Sequence, residues 1–276
     1  MEYKSIAGIK LPAIGIGTWD MGRAKGLEGP GERPDYSNDE SYIVAIKEAI
    51  RLGMWHIDTA EMYSGGHAEE IICAAIKNIP RNKVFITTKV LPSHLKHDDF
   101  IVAANASLKR LKLDYVDLYL IHWVNSTSQI KEAIAAMDEL VATGKVRHIG
   151  VSNFSLKQLQ LAQSFTKNKI VTNQVEYNLL DRSCEKDILP YCQDNEIILT
   201  AYSPLAQGKL LKNKTLAAVA AKHDKMIAQV ALNWPISQKN VIAIPKAGSI
   251  EHARENAGAV GWKLDAECMR LLENEF

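Results

Sequence analysis

An acid, a phenol, an amine and an imidazole stand at the ends of three apolar runs. The segment His56-Ile-Asp58-Thr-Ala-Glu-Met-Tyr63 carries the acid and the phenol. Thr87-Thr-Lys89 ends a second run on the amine, and Leu120-Ile-His122-Trp123 ends a third on the imidazole. A buried lysine must be paired, and Asp58 is its natural partner. A tyrosine with a pKa near ~10 is a poor acid at neutral pH, and a nearby ammonium lowers that value. His122 can then donate to, or orient, the oxygen that Tyr63 protonates. Such a set lowers the barrier to reducing a carbonyl once something supplies a hydride. It has no nucleophile and no metal ligands. His94-Leu-Lys-His97 offers two histidines but no third ligand, and His-x-His is absent throughout, so no metal is expected.

The elements that position these residues follow from alternation along the chain. Short β-branched runs at Ile14–Thr18, His56–Ala60, Val84–Val90, Val116–His122, His148–Ser152, Val171–Glu176, Ile197–Tyr202 and Val241–Pro245 read as eight strands. Most are apolar nearly throughout, as parallel strands covered on both faces are. Between them lie segments of helical period. Ser37-Asn-Asp-Glu40, Ser126-Thr-Ser-Gln129 and Ser155-Leu-Lys-Gln158 read as capping boxes, with Gly53 and Gly144 as stops. Ala68–Asn78 and Asp98–Lys112 carry apolar residues at three-to-four spacing. Eight strand-helix units predict an α/β fold, a single (β/α)8 TIM barrel over residues 1–276. A doubly wound sheet is the alternative. Its glycine-rich turn is missing, because Asp20 follows Gly15-Ile-Gly17 where the third glycine would stand. Tyr3–Pro12 predicts a hairpin closing the barrel bottom, and Gly22–Asp35 a loop of unassigned role. In such barrels the active site lies at the carboxyl ends of the strands, where all four residues fall.

Composition limits the partners. Thirty-three basic and 32 acidic residues leave a formal net charge of +1, which offers nucleic acid or membrane no bulk attraction. No run approaches the ~18 apolar residues of a membrane span. The start, Met1-Glu2-Tyr3-Lys4-Ser5, lacks the layout of a signal peptide. Cys73, Cys184, Cys192 and Cys268 show no metal spacing and read as reduced thiols of a cytoplasmic protein, with Cys184 and Cys192 as inert packing residues.

These motifs together resemble the aldo-keto reductase superfamily, in its compact microbial form, over essentially the whole chain. The carrying segments are His56–Tyr63, Leu120–Trp123, Ile149-Gly-Val-Ser-Asn-Phe154, Asn173-Gln-Val-Glu-Tyr177, Ala201-Tyr-Ser-Pro-Leu205 and Ile244-Pro-Lys246. The resemblance implies NADPH-dependent reduction of aldehydes and ketones, with NADH also usable. It puts the catalytic tetrad on Asp58, Tyr63, Lys89 and His122, with Tyr63 as general acid. Ser152, Asn153 and Gln174 match residues that hold the nicotinamide carboxamide. Tyr202 matches the ring stacked on nicotinamide, and Ser203 and Leu205 match pyrophosphate contacts. Lys246, Ser249, Glu255 and Asn256 match the adenosine end, with Lys246 beside the 2′-phosphate. Trp19 and Trp123 fit either a substrate-pocket wall or plain core. The implied partner is a small carbonyl compound, on a monomer or weak oligomer. A non-enzymatic redox-linked regulatory subunit of the same fold is the competing function. Loops at the barrel mouth are short, which predicts an open pocket of modest discrimination.

One position departs from the family. The NADPH-specialised members carry an arginine six residues after the lysine matching Lys246, and here that position is His252. Arg254, two residues further along a helix, points ~200° away. The site keeps one ammonium and loses a planar, permanently charged fork. NADPH is expected to be preferred by only roughly 10–100-fold, a gap of ~1.4–2.8 kcal/mol. The ratio of kcat/KM for the two cofactors measures it, and His252→Arg should widen it. Exclusive NADPH use with no gain from arginine would overturn this expectation.

Overall fold

A computed structural model describes residues 1–6, 8–24 and 33–276 of the chain. Much of the predicted Gly22–Asp35 loop, at 25–32, lies outside the described residues. The strands are β1 (Tyr3–Ile6), β2 (Ile9–Pro12), β3 (Ile16–Gly17), β4 (His56–Asp58), β5 (Phe85–Val90), β6 (Val116–Ile121), β7 (Val146–Ser152), β8 (Ile170–Glu176), β9 (Ile198–Tyr202) and β10 (Val241–Ala243). β3 to β10 pair in chain order as one parallel, eight-stranded sheet. Bridges from Ile14 to Ala243 and from Gly17 to Lys246 join its first strand to its last and close the barrel. Every predicted strand is present. The first is shortest, because it meets the closing strand only through these isolated bridges.

The helices are α1 (Asp39–Arg51), α2 (His67–Ile76), α3 (His97–Leu111), α4 (Ile130–Ala142), α5 (Leu156–Ser164), α6 (Ile188–Asp194), α7 (Lys214–Lys222), α8 (Ile227–Ser237), α9 (Ile250–Ala257) and α10 (Ala266–Glu275). Capping boxes at Ser126 and Ser155 are formed as expected. The box at Ser37 is not. The Asp35 carboxylate accepts from the Ser37 N–H at 2.9 Å, and α1 starts after Asn38 without a side-chain cap. A local side-chain turn has taken the residues that a cap would have used. The carboxyl end of the chain forms α10, capped by Asp265 and seated through buried Cys268 and Leu272. All four cysteines are free thiols, and burial pushes Cys184 and Cys192 up to about 12. No helix among the described residues is long and apolar enough to cross a membrane.

The period of two along each strand sorts side chains between barrel interior and helix layer. On β5, Phe85, Thr87 and Lys89 share one face. Phe85 packs edge-on against His56, Thr87 Oγ1 lies 2.9 Å from His56 Nε2, and Lys89 reaches Asp58. The other face turns to the helices, where Thr88 Oγ1 donates to Glu69 of α2 at 2.6 Å. β7 has Gly150 on the inner face. A Cβ there would lie 2.6 Å from Leu120 and 2.7 Å from Thr172, so only glycine fits. The predicted hairpin is the floor. β1 pairs with β2 antiparallel, and its Ile6, Ile9 and Leu11 join Phe85, Leu118, Val171, Ile198 and Ile242 in one apolar cluster. Phe85, Val171 and Ile198 sit at the amino-terminal ends of their strands, so the polar carboxyl ends are left at the other rim.

The interior is less apolar than the strand sequences suggest. His56–Thr87 and Thr172–Thr200 form hydrogen-bonded polar pairs between the floor and the rim. Burial, with Lys89 second, pushes the His56 imidazole down to about 3. Its folded value is depressed, so the stability it contributes is complete above the unfolded value near ~6.5 and is lost as pH falls toward the folded one. In urea or thermal unfolding between about pH 6.5 and pH 4, this group should steepen the loss of stability by up to ~1.4 kcal/mol per pH unit. His56→Gln should remove that share of the slope, and an unchanged slope would refute it.

Candidate active site

Asp58 ends β4, and the chain beyond it keeps strand-like pairing with β5. Thr59 N–H donates to the Thr87 carbonyl and Glu61 N–H to the Lys89 carbonyl. This holds residues 58–61 alongside Lys89. The Lys89 ammonium then donates to Asp58 Oδ1 at 2.5 Å, the Thr59 carbonyl at 2.8 Å and Tyr63 Oη at 3.2 Å. All three of its protons are committed. The second Asp58 oxygen accepts from Gln174 Nε2 at 2.7 Å. Lys89 and Asp58 are almost wholly buried. Burial raises the Asp58 carboxyl even against Lys89, while Asp58 and Tyr63 raise the Lys89 ammonium against the burial that would lower it. Each group is held by the other.

Tyr63 opens a tight turn over Tyr63–Gly66 in which Ser64, Gly65 and Gly66 all have positive φ. Gly66 has no room for a Cβ, which would meet the Arg110 side chain at 2.7 Å. Arg110 is in turn fixed on Glu69 at 2.6 Å, the carboxylate that also receives Thr88. Ser64 Oγ donates to the Met21 carbonyl at 2.7 Å. The phenol is therefore placed by a strained turn clamped on both sides. Burial raises the Tyr63 phenol by more than Lys89 lowers it. This corrects the expectation of a depressed value: desolvation is the larger effect, and the oxygen keeps its proton at neutral pH.

His122 follows β6, its N–H donating to the Val90 carbonyl at 3.1 Å. Its ring packs edge-on against Tyr63 at 5.9 Å and against Trp123 at 4.7 Å. Burial, with Lys89 second, holds its imidazole well below the usual histidine range, so the ring is neutral. Its Nδ1 is buried with no partner among the described residues. The four expected residues thus converge. Trp123 is half-buried against His122, and Trp19 is 45% exposed with Arg23 over its ring.

The other expected positions lie along the same rim toward β10. Ser152 is buried at the end of β7, and its Oγ accepts from Asn153 Nδ2 at 3.1 Å. Asn153 has φ +59°, receives the Tyr202 hydroxyl at 2.9 Å and binds the His122 carbonyl at 3.1 Å. Tyr202 is the last residue of β9 and partly exposed. Gln174 is near, but its amide nitrogen is committed to Asp58. Ser203, Ala206, Gln207 and Gly208 all have positive φ, making an irregular loop around Leu205. Ser249 caps α9, accepting from His252 N–H at 3.2 Å. Asn256 Nδ2 reaches back to the Lys246 carbonyl at 3.2 Å, and Glu255 is half-buried beside it on α9. Arg254 is bound to Glu48 of α1 at 2.9 Å, away from Lys246.

Three features escaped the sequence reading. Glu61 accepts from Leu91 N–H at 2.5 Å and faces His94 Nδ1 at 3.0 Å, tying the loop after β5 to the Asp58–Tyr63 segment. The Glu69–Arg110 clamp joins residues 41 apart. Asp20 pairs with Lys246 at 3.0 Å. Only Glu61 had a local signal, its place between Asp58 and Tyr63.

The rim fits an extended dinucleotide. The site has a polar pair beside a partly exposed tyrosine ring, an irregular loop, then a cation and a capped helix start, in line. Known proteins resemble the chain over its whole length. The pattern describing the aldo/keto reductase family matches residues 13–274. A methylglyoxal reductase of Escherichia coli K12 is 40% identical, covering 100% of this chain and 96% of its own. A glyoxal reductase of Bacillus subtilis is 35% identical over 96% of this chain and 89% of its own. The thermostable aldo-keto reductase Tm1743, solved with the inhibitor epalrestat, superposes with a TM-score of 0.92 at 46% identity, covering 99% of both chains. An aldo-keto reductase of Klebsiella pneumoniae, solved with NADPH, gives 0.90 at 36% identity over 100% of this chain and 95% of its own. With its closed eight-stranded barrel and its convergent rim residues, the chain belongs to the aldo/keto reductase family.

Proposed function

We propose that the protein is a cytoplasmic NADPH-dependent reductase of small aldehydes, with 2-oxoaldehydes such as methylglyoxal and glyoxal as its substrate class. The observation that carries this reading is the Lys89 ammonium bound at once to Asp58 and Tyr63 Oη. Proton transfer to a carbonyl uses each of these bonds, which favours the enzymatic reading over a regulatory subunit.

The cofactor, when bound, supplies the hydride. Ser152, Asn153 and Gln174 would hold its carboxamide, Tyr202 would cover the nicotinamide ring, and Ser203 and Leu205 would take the pyrophosphate. Lys246, Ser249, Glu255 and Asn256 would hold the adenosine end. The chain's own work is at the carbonyl oxygen. His122, neutral by burial, donates to that oxygen and turns it toward Tyr63. Tyr63 gives up its proton as negative charge develops there, and Lys89 at 3.2 Å stabilises the phenolate left behind. Asp58 keeps Lys89 charged and fixed during the transfer.

The mouth suits small substrates. The loop after β5 reaches α3 after one turn at Pro92–His94, and the segment after Trp123 reaches α4 after one turn at Thr127–Gln129. With few walls among the described residues, one pocket methylene is worth only ~1–3 kcal/mol, so several unlike aldehydes should be turned over.

Two variants test the roles. Tyr63→Phe keeps the ring and should lower the single-turnover rate with methylglyoxal ~10²–10⁴-fold, leaving NADPH affinity nearly unchanged. Near-normal turnover would remove Tyr63 as the acid. Lys89→Met should abolish turnover and lower unfolding free energy by about 3–5 kcal/mol, since a buried carboxylate is left alone. Unchanged unfolding would mean that the pair is solvated.

A further inference from the structure

Asp20 lies just beyond β3, and Lys246 just beyond β10, on the two strands that close the barrel. The Lys246 ammonium donates to Asp20 Oδ2 at 3.0 Å, and Arg23 Nη1 lies 3.6 Å from Asp20 Oδ1. Both side chains of the Asp20–Lys246 pair are more than a third exposed, at 37% and 41%. A pair so exposed adds little to stability. Its backbone is nevertheless uncommon, with φ +69° at a non-glycine residue. The surroundings are acidic on this side. Tyr42, whose ring borders Gly248 next to Ser249, is raised first by burial and then by Asp20, Asp35 and Asp39.

We propose that Asp20 is a specificity residue for the cofactor: it occupies the Lys246 ammonium and weakens recognition of a 2′-phosphate, keeping NADH usable. The inference rests on the reading that Lys246 faces the 2′ position. A phosphate there must displace the carboxylate from Lys246 or share the cation with it, and either course sets negative charge beside negative charge. A free 2′-hydroxyl meets no such penalty, since it can donate a hydrogen bond to the Asp20 carboxylate. Acids beside the ribose in other dinucleotide folds make the same choice. With His252 in place of an arginine and Arg254 bound to Glu48, a phosphate at the 2′ position would draw first on the Lys246 ammonium. Neutralising it therefore has leverage.

The test is cofactor binding, read by quenching of tryptophan fluorescence on titration with NADPH and with NADH. Asp20→Asn suits it, because asparagine tolerates the left-handed backbone and loses only the charge. The expected result is an NADPH Kd at least threefold lower, with the NADH Kd unchanged or higher. In the Lys246→Met background, Asp20→Asn should no longer improve NADPH binding. Equal weakening of both cofactors would overturn the proposal and make Asp20 a strap that holds the dinucleotide. Unchanged Kd values for both would overturn it as well. A Lys246→Met chain that binds NADPH as tightly as wild type would overturn the placement of the 2′-phosphate at Lys246 and this inference with it. A wild-type chain that binds neither cofactor would overturn the reductase reading itself.

Discussion

The Lys89 ammonium is the constraint on which the rim is built. A cation with essentially no exposure is stable only if each of its protons has an acceptor. Those acceptors come from the β4 end, from the backbone that follows it, and from the turn beyond. Satisfying one side chain therefore fixes Asp58, Thr59 and Tyr63 relative to β5. Gln174 extends the chain of bonds from Asp58 across the barrel to β8. Loss of any member leaves a buried charge or donor without a partner, so the set is held as a unit.

Strand register turns this constraint into a site. Asp58 pairs with Thr87, and Lys89 with Leu120, so neighbouring strands end at staggered heights around the rim. Their inward residues share a period of two, which sends Asp58, Lys89, Ser152 and Gln174 to the same end of the barrel. The β1–β2 hairpin fills the opposite end with isoleucine and leucine. One end is then dry and packed while the other keeps its polar side chains. The helix layer contributes from outside: Glu69 binds Thr88, the neighbour of Lys89 that points the other way, and Arg110, which backs the Tyr63 turn.

Much of this was legible in the sequence. Eight apolar runs, the hairpin, and the caps at Ser126 and Ser155 follow from local patterns and are present. The convergence of Asp58, Tyr63, Lys89 and His122 was legible because they stand at or just beyond strand ends, and a barrel brings strand ends together. What was not legible depends on distance in sequence. Glu69 to Arg110 and Asp20 to Lys246 span 41 and 226 residues, and no local spacing records them. The Ser37 cap failed because Asp35, two residues earlier, competes for the same N–H. The sign of the Tyr63 shift failed for a related reason. An opposite charge could be inferred from residue types, but the depth of burial, which outweighs it, could not.

For Tyr63 as the proposed acid, that outcome bears on how the proton is kept and given. A phenol lowered toward neutrality would be partly ionised before any carbonyl arrived, and it would have no proton to give. Burial keeps Tyr63 protonated, and Lys89 stays bonded to its oxygen. The ammonium thus counts for little while the phenol is neutral and for much once charge appears on it. Interactions that strengthen only as charge develops lower the barrier rather than deepen the ground state. His122 obeys the same logic. Burial and the nearby Lys89 keep it neutral, so it offers a hydrogen bond without adding a second mobile proton that would compete with Tyr63. Burial thus sets the protonation state of both aromatic neighbours, and the one cation, its three protons satisfied, stands ready for the charge that develops on Tyr63.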